Sequence, residues 1–167
     1  MTTDTEVIEK IEILFAVEGH KRHFQADAHP KLTVAEFAVI AAKKGEIGEL
    51  VEIFVEDADD PLGPELILVE HLSAHFAPLH VARPGLIRTT VGYQTRHVEK
   101  LFRPSATIGR IIEWAIGPDG FKLEGTPADY QLKHDGVVLS ADEHLGQVAG
   151  KHKAVELDLV FKVKPQG

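Results

Sequence analysis

The sequence contains no cysteine among its 167 residues. Disulfide bonds, thiolate metal sites and cysteine nucleophiles are therefore excluded from the functions open to this chain. A protein without disulfides needs no oxidising compartment, so the expected location is the cytoplasm.

Long apolar runs are also missing, and none approaches the roughly 18–20 residues needed to span a bilayer. The first ten residues, "MTTDTEVIEK", lack the basic and apolar regions of a signal peptide. We therefore expect neither a membrane anchor nor a secretory signal.

The chain lacks the excess of positive charge that a general nucleic-acid binder needs to displace phosphate counterions. Its net charge at pH 7 is −8, although 44% apolar and 26% charged residues are ordinary values for a globular protein. Residues 1–85 hold 7 Lys and Arg against 16 Asp and Glu, whereas residues 86–167 hold 11 against 10. The two halves therefore present different electrostatic surfaces to partners.

The most informative feature is an internal repeat with an offset of 74 residues. The segment "HPKLTVAEFAVIAAKKG" aligns with "RPSATIGRIIEWAIGPDG", which places Pro30 on Pro104 and Thr33 on Thr107. The alignment extends back without a gap to Val17 and Val91. A long period seen only twice predicts two tandem domains, and Pro84 and Gly85 mark a boundary between residues 1–85 and residues 86–167.

Each repeat predicts a β-hairpin followed by a helix and further strands. In the first half, residues 11–17 alternate as a strand does, and Thr33 with Glu36 forms a capping box before the helix. Residues 50–57 read as a strand. The second half repeats this order, with a hairpin over about residues 88–102 and a turn at Asp135-Gly136. The plan is α+β, with one helix covering one face of each mixed sheet.

The second half resembles ubiquitin over nearly its whole length. "RPSATIGRIIEWAIG" is similar to the proline-led entry into the ubiquitin helix, and "YQLKHDGVVLSADEHLGQVA" is similar to the strand, turn and short helix that follow. "AVELDLVFKVKPQG" resembles the last strand and the basic tail. The chain as a whole resembles two-domain ubiquitin-like modifiers, including the vertebrate interferon-induced modifier and the tandem ubiquitin-like proteins of bacterial antiphage conjugation operons. The resemblance implies two ubiquitin-like β-grasp domains in tandem.

The same resemblance implies a function as a protein modifier and not as an enzyme. In such systems an adenylating enzyme uses ATP to activate the terminal carboxylate, and the modifier then passes as a thioester to a conjugating enzyme. It is ligated finally to lysines of target proteins, and a metallopeptidase reverses the reaction. The enzymes supply the thiols, which agrees with the lack of cysteine here, and no cofactor is expected to be bound by the modifier itself.

The tail carries the residues that the resemblance assigns to conjugation, with Gly167 as the point of attachment. Glycine suits narrow enzyme sites because it has no side chain and wide conformational freedom. Proline lacks an N–H and ends strand pairing, so Pro165 frees the tail from the sheet. The residues expected to be read by the enzymes are Lys162, Val163, Lys164, Pro165 and Gln166. Gln166 stands where ubiquitin has a second glycine, which implies a dedicated adenylating enzyme.

Two other functions fit the sequence. A pair of β-grasp domains can act as an adaptor that is never conjugated, because the fold serves many functions. A sulfur carrier would use the same terminal glycine as a thiocarboxylate, although such carriers usually have one domain and a double glycine. Neither alternative makes the chain an enzyme.

An exposed partner surface is expected at Thr95, Lys133 and Val160, the positions that align with the apolar patch of ubiquitin. Lys133 replaces an apolar residue there, so general ubiquitin receptors should bind poorly.

Ten histidines and an acidic run raise the question of a metal site. His71 and His75 have helical spacing but no acidic third ligand follows at a suitable distance, so we interpret the histidines as solvated or capping groups. The run "EDADD" at 56–60 lacks the spacing of an EF-hand and is interpreted as an exposed acidic loop. The sequence therefore predicts no metal site and no catalytic residue.

Overall fold

The computed structural model describes residues 9–48, 50–72 and 77–162. Within these ranges the chain forms nine strands and three α-helices, in the order β1 (Ile11–Val17), β2 (Phe24–Ala28), α1 (Val34–Lys44), β3 (Glu52–Phe54), β4 (Leu79–Ala82), β5 (Ile87–Tyr93), β6 (Arg96–Phe102), α2 (Ile108–Ile116), β7 (Tyr130–His134), β8 (Val137–Val138), α3 (Leu145–Ala149) and β9 (Ala154–Phe161). Short 3₁₀ turns lie at Leu68–His71, Pro127–Asp129 and Gly150–His152.

The first sheet has the strand order β2-β1-β4-β3 and is mixed. Strand β1 pairs antiparallel with β2 in a hairpin and parallel with β4, while β3 pairs antiparallel with β4. Helix α1 covers one face because its apolar residues recur at helical spacing, and Val34, Phe37 and Ala41 are buried. These side chains and the inward face of the sheet form one core.

The second sheet repeats this plan with the order β6-β5-β9-β7-β8, where β5 pairs parallel with β9. Helix α2 buries five apolar side chains against it, namely Ile108, Ile111, Ile112, Ala115 and Ile116. A separate core forms beneath this helix. The predicted fold class is confirmed, since the chain folds as two tandem α+β units of the ubiquitin-like β-grasp type, each a mixed sheet packed on one helix. The boundary at residue 85 stays a prediction.

The predicted local signals at the first helix and at the second hairpin turn are confirmed. The Thr33 backbone N–H donates to Glu36 Oε1 at 3.2 Å, and the Glu36 N–H donates to Thr33 Oγ1 at 3.2 Å, which is a complete capping box. At the β7–β8 turn, Asp135 and Gly136 have φ angles of 49° and 82°. Two successive positive φ angles are what a tight hairpin turn of this kind requires.

One predicted strand is wrong in its length, because β3 covers only Glu52–Phe54 and not residues 50–57. The chain turns directly after it, with the Ala58 N–H donating to the Val55 carbonyl at 3.0 Å. Asp57 adopts a φ of 59°, a left-handed conformation that an extended strand cannot include. The turn carries the acidic residues toward the second unit.

The two units are joined by direct polar contacts as well as by the chain. The Gly19 N–H donates to the Gly146 carbonyl at 3.0 Å, so the first hairpin turn touches α3. Buried Glu18 lies 2.6 Å from Arg83 Nη1 and 2.9 Å from Lys153 Nζ of the second unit. A carboxylate with a side chain only 1% exposed requires such partners, because an unpaired buried charge is costly.

Among the residues that the structure describes, no helix is long and apolar enough to cross a membrane.

Candidate functional site

The chain leaves the second sheet from its central strand, β9, which lies between β5 and β7. Lys162 follows β9 directly and is exposed, and its backbone N–H donates to the Asp129 carbonyl at 2.8 Å. The other residues predicted to form the tail, Val163, Lys164, Pro165, Gln166 and Gly167, lie outside the described residues. The fold therefore fixes the position of Lys162, the first residue of the predicted tail.

The end of β9 is held by an aromatic contact to β7. The rings of Tyr130 and Phe161 meet edge to face with centroids 5.3 Å apart, and the two residues are paired in the antiparallel ladder. The Tyr130 hydroxyl donates to the Glu124 carbonyl at 2.7 Å. Phe161 remains 55% exposed, so it is an apolar surface at the base of the tail as well as an anchor.

Two of the three residues predicted to form a partner surface come together on the outer face of the second sheet. Lys133 on β7 and Val160 on β9 line a shallow depression of about 440 Å³ together with Gln131, Phe161 and Lys162. Thr95 is exposed in the turn between β5 and β6 and is not part of that lining. In the ladder Lys133 stands opposite Asp158, so this surface is charged where the ubiquitin patch is apolar.

A carboxylate of the first unit caps the main helix of the second unit. By the repeat, Arg110 occupies the position at which Glu36 completes the capping box of the first helix. Asp57 takes over that role, because its Oδ1 accepts the Thr107 backbone N–H at 2.8 Å and the Thr107 hydroxyl at 3.1 Å. Arg110 in turn donates to the Asp57 carbonyl at 2.7 Å. The N-terminus of α2 is thus completed across the contact between the two units.

A second contact between the units is a chain of two histidines and a glutamate. His144 Nε2 lies 2.9 Å from Glu56 Oε2, and its Nδ1 lies 2.9 Å from Nδ1 of His80. Both imidazole side chains are buried. Since the carboxylate must accept from Nε2 of His144, the neutral ring accepts at Nδ1 from the Nδ1–H of His80. This arrangement leaves Nε2 of His80 unprotonated, buried and without a hydrogen-bond partner among the described residues.

The surroundings favour the neutral form of both histidines. Burial lowers the pKa of His80 well below its ordinary value of 6.5, and the neighbouring His144 and Lys153 lower it further. Burial also lowers the pKa of His144, although the hydrogen bond to Glu56 opposes that effect. Protonation of both rings would leave the bond between the two Nδ1 atoms without an acceptor.

The interpretation of the acidic run as an exposed loop is wrong for Glu56 and Asp57, and that of the histidines as solvated or capping groups is wrong for His80, whereas His144 is the N-cap residue of α3. Glu56 and Asp57 belong to the contact between the units, whereas Asp59 and Asp60 have side chains that are 83% and 89% exposed. His80 and His144 are buried and lie 64 positions apart in the chain. Asp57 and its partner Thr107 are 50 positions apart, and Glu56 and its partner His144 are 88 positions apart. No local pattern in the sequence marks such pairs, and His80 is buried in a strand, β4, in which all four residues are buried.

Within the described residues no group of three or more His, Asp or Glu side chains is placed to hold a metal ion. His75 lies outside those residues. The Ser140 hydroxyl donates to the Asp142 carboxylate, and this bond holds the pKa of Asp142 below its ordinary value.

In comparisons with known proteins, one family model matches the second unit. Residues 88–162 match the family model described as BilA ubiquitin-like domain 2. No curated protein matches the chain. Among solved structures, the ubiquitin of Caldiarchaeum subterraneum is 18% identical with a TM-score of 0.40, and the alignment covers 49% of this chain and 100% of that one.

A second solved structure is described as ATBAG1 in complex with HSP70. It is 21% identical with a TM-score of 0.38, and the alignment covers 45% of this chain and 40% of that one. The family match spans the strands, the helix and the end of β9 of the second unit. The second half of this chain is therefore a ubiquitin-like domain.

Proposed function

We propose that this chain is a ubiquitin-like protein modifier, ligated through Gly167 to lysines of target proteins. The observation that carries the proposal is the match of residues 88–162 to BilA ubiquitin-like domain 2, a domain type that we take to indicate a conjugation operon with a role in antiphage defence. The chain is then the substrate of an adenylating enzyme that uses ATP, a conjugating enzyme and a deconjugating metallopeptidase, and it catalyses none of these steps itself.

The geometry at the end of β9 supports this assignment. The strand is central in its sheet, and its end is fixed by the Tyr130–Phe161 contact up to the exposed Lys162. A short tail that starts from such a rigid base can enter an enzyme site while the body of the domain docks outside. Lys162 and Lys164 give the tail positive charge, which steers it toward an acidic channel.

The contacts between the two domains support the proposal that the enzymes recognise both domains together as a single unit. The Asp57 cap and the His80–His144 contact join the two units with groups that are partly or wholly buried. An enzyme that binds the second domain and its tail therefore meets the first domain in a fixed position. We propose that the outer face at Lys133, Val160 and Thr95 contributes to recognition by the dedicated enzymes.

The tail sequence provides a specific test by mass spectrometry. Trypsin cleaves after Lys162, whereas the bond between Lys164 and Pro165 resists cleavage because proline follows. Ligation through Gly167 would therefore leave the remnant Val-Lys-Pro-Gln-Gly on target lysines. The chain, carrying an amino-terminal tag, is expressed in its source cells, recovered under denaturing conditions and digested.

Lysines bearing that remnant, formed with the wild-type chain and lost after deletion of Gly167, are the expected result. Adducts that persist unchanged after the deletion would overturn the proposal. An intact tail that is recovered only as a free carboxylate, with no adduct in cells that express the whole operon, would favour the unconjugated adaptor.

A further inference from the structure

The first domain contains an apolar groove that the proposed conjugation does not use. It lies between α1 and β3, has a volume of about 670 Å³ and is lined chiefly by aliphatic side chains, by Pro61 and Pro64, and by Lys43 and Glu52. Two of the lining side chains are largely in solvent, Val39 at 72% and Leu50 at 80% exposure. Exposed aliphatic side chains beside a groove are unfavourable in water unless a partner covers them.

Helix α1 is apolar on two faces, and in this respect it differs from α2, its counterpart in the second domain. Val34, Phe37 and Ala41 face the core, while Ala35, Ala38 and Val39 line the groove. At the offset of the repeat, Val39 corresponds to Glu113, which is exposed on α2. An ordinary surface helix has a charged outer face, as α2 has at that position. The groove is therefore a property of the first domain and not of the shared fold.

The rim of the groove is acidic. Glu52 lines it, and the Glu65 carboxylate lies against Gly63, another lining residue. Lys43 lines the groove, but the next lysine, Lys44, donates to the Gln25 carbonyl at 3.0 Å and so reaches toward β2. The charge at the rim agrees with the excess of 9 acidic residues in residues 1–85. An occupant with basic side chains around an apolar stripe would complement it.

The edge of the sheet beside the groove is not free to accept a strand. The Leu62 N–H donates to the Ile53 carbonyl at 2.8 Å, so the chain's own segment covers the outer side of β3. A partner must therefore place its side chains in the groove without adding a strand to that edge of the sheet. The part of α1 that lines it, from Val34 to Lys43, is roughly 14 Å long, which matches two to three turns of a helix. Three alanines on this face allow a helix backbone to approach closely.

We infer that this groove binds an amphipathic helix of a partner protein, with aliphatic residues on one face and lysine or arginine at its flanks. The aliphatic side chains cover Val39 and Leu50, and the basic side chains face the carboxylates of the rim. The first domain thereby recruits a partner while the tail of the second domain is ligated elsewhere. The inference does not depend on ligation, since the groove and the tail belong to different domains.

A synthetic peptide tests this directly. The probe has about 16 residues of Leu, Ala and Lys with leucines spaced to form one helical face, and it carries a fluorescent label. Its binding to the full chain is followed by fluorescence anisotropy, and the site is mapped by amide chemical shifts of the labelled protein. A peptide of the same composition with the leucines scattered, and one with Glu in place of Lys, are the controls.

Val39→Asp and Leu50→Asp are the test variants, because both side chains are largely exposed, and we therefore expect the fold to tolerate the change. Val138→Asp, at a side chain 50% exposed on β8 of the second domain, is the matched control. Each variant adds one negative charge, so general attraction of a basic peptide rises equally in all three. We expect binding to weaken by about ten-fold or more with Val39→Asp and to stay within about two-fold of wild type with Val138→Asp.

Changes in amide chemical shift on binding of the peptide should be confined to α1, β3 and residues 61–64. Binding that Val39→Asp leaves unchanged would overturn the inference, as would a scattered peptide that binds equally well. Self-association of the chain that Val39→Asp abolishes would assign the groove to a second copy and overturn it too. Ligation through Gly167 should be unaffected by Val39→Asp, so failure here is distinct from failure of the proposed function.

Discussion

His80 and His144 meet Nδ1 to Nδ1 at 2.9 Å, although they belong to different domains and lie 64 positions apart. The rings are tilted at 61° with centroids 5.0 Å apart, and Glu56 holds the far nitrogen of His144. Such a pair is stable only when one Nδ1 donates and the other accepts. The hydrogen bond between the two rings therefore requires that at least one of them is neutral.

The first prediction is that stability falls as the pH is lowered through about 6.5. Both histidines have a lowered pKa in the folded protein, while in the unfolded chain they titrate at their ordinary value of 6.5. Below that pH the unfolded chain binds more protons than the folded one, so protonation favours unfolding. Each histidine can contribute up to about 1.4 kcal/mol per pH unit in this window.

Urea denaturation between about pH 8 and pH 5 measures how steeply the free energy of unfolding changes with pH, which is the slope compared here. His80→Gln removes one titrating group and should flatten it. His97→Gln is the control, since His97 is exposed on β6. An equal slope in wild type and His80→Gln would contradict the prediction.

The second prediction concerns Gly146, which packs directly under His80. A Cβ at this position would collide with the His80 ring and lie 3.0 Å from Pro104 Cβ. Gly146→Ala raises helix propensity in α3 and would stabilise an isolated helix. We nevertheless expect the free energy of unfolding to fall by about 1–3 kcal/mol, because the added methyl group would overpack the contact between the domains.

Gly48→Ala is the matched control for that change, since no atom lies within 4 Å of a Cβ built there. Its effect on the denaturation midpoint should be small. A Gly146→Ala variant as stable as wild type would show that α3 and β4 do not meet as the structure has them.

The third prediction is that Asp57→Ala destabilises α2 in the other domain. Removal of the carboxylate leaves the Thr107 backbone N–H without its acceptor at 2.8 Å. Loss of an N-cap partner costs about 1 kcal/mol. Hydrogen exchange of the amides at the start of α2 should become faster, and the denaturation midpoint should drop.

Asp60→Ala serves as the control for Asp57→Ala. Its side chain is 89% exposed and its nearest cation, Arg103, lies 3.9 Å away, so removal should change stability little. Equal effects of the two variants on exchange in α2 would rule out a cap that is supplied by the first domain.

The fourth prediction concerns the outer face of the second sheet. Lys133 and Val160 line the same depression, and Lys133 stands opposite Asp158. Lys133→Leu restores an apolar residue at the position where ubiquitin has one. We expect ordinary ubiquitin-binding domains to bind wild type weakly and the variant about ten-fold more tightly, as measured by calorimetry. Tight binding to the wild-type chain would contradict the prediction.

The sequence alone determines much of each domain, because the signals involved are local. Thr33 and Glu36 fix the start of α1 within one helical turn, and Asp135-Gly136 fixes a hairpin turn within two residues. Helix periodicity and strand alternation assign the core faces in the same way. The repeat of 74 residues then extends the assignment from one domain to the other.

The placement of two residues of the expected partner surface follows from the same local signals, whereas their role in binding stays a prediction. Lys133 and Val160 fall on neighbouring strands of a known plan, and the structure brings them together. Thr95 lies in the hairpin turn, beyond the depression that they line. The groove at Val39 and Leu50 was not predicted, because it needs the packing of α1 against β3 and the 61–64 segment to exist.

The sequence by itself determined that the chain folds as two β-grasp units, and it places Lys162 and Lys164 after the last strand of the second unit. Only the tertiary structure decided how the units are joined. Glu56, Asp57 and His80 reach partners 50 to 88 positions away, and each single residue carries no pattern that identifies its partner. Local propensity acts within a few residues of the chain, whereas the hydrogen bonds between the domains form only after both cores have brought those residues together.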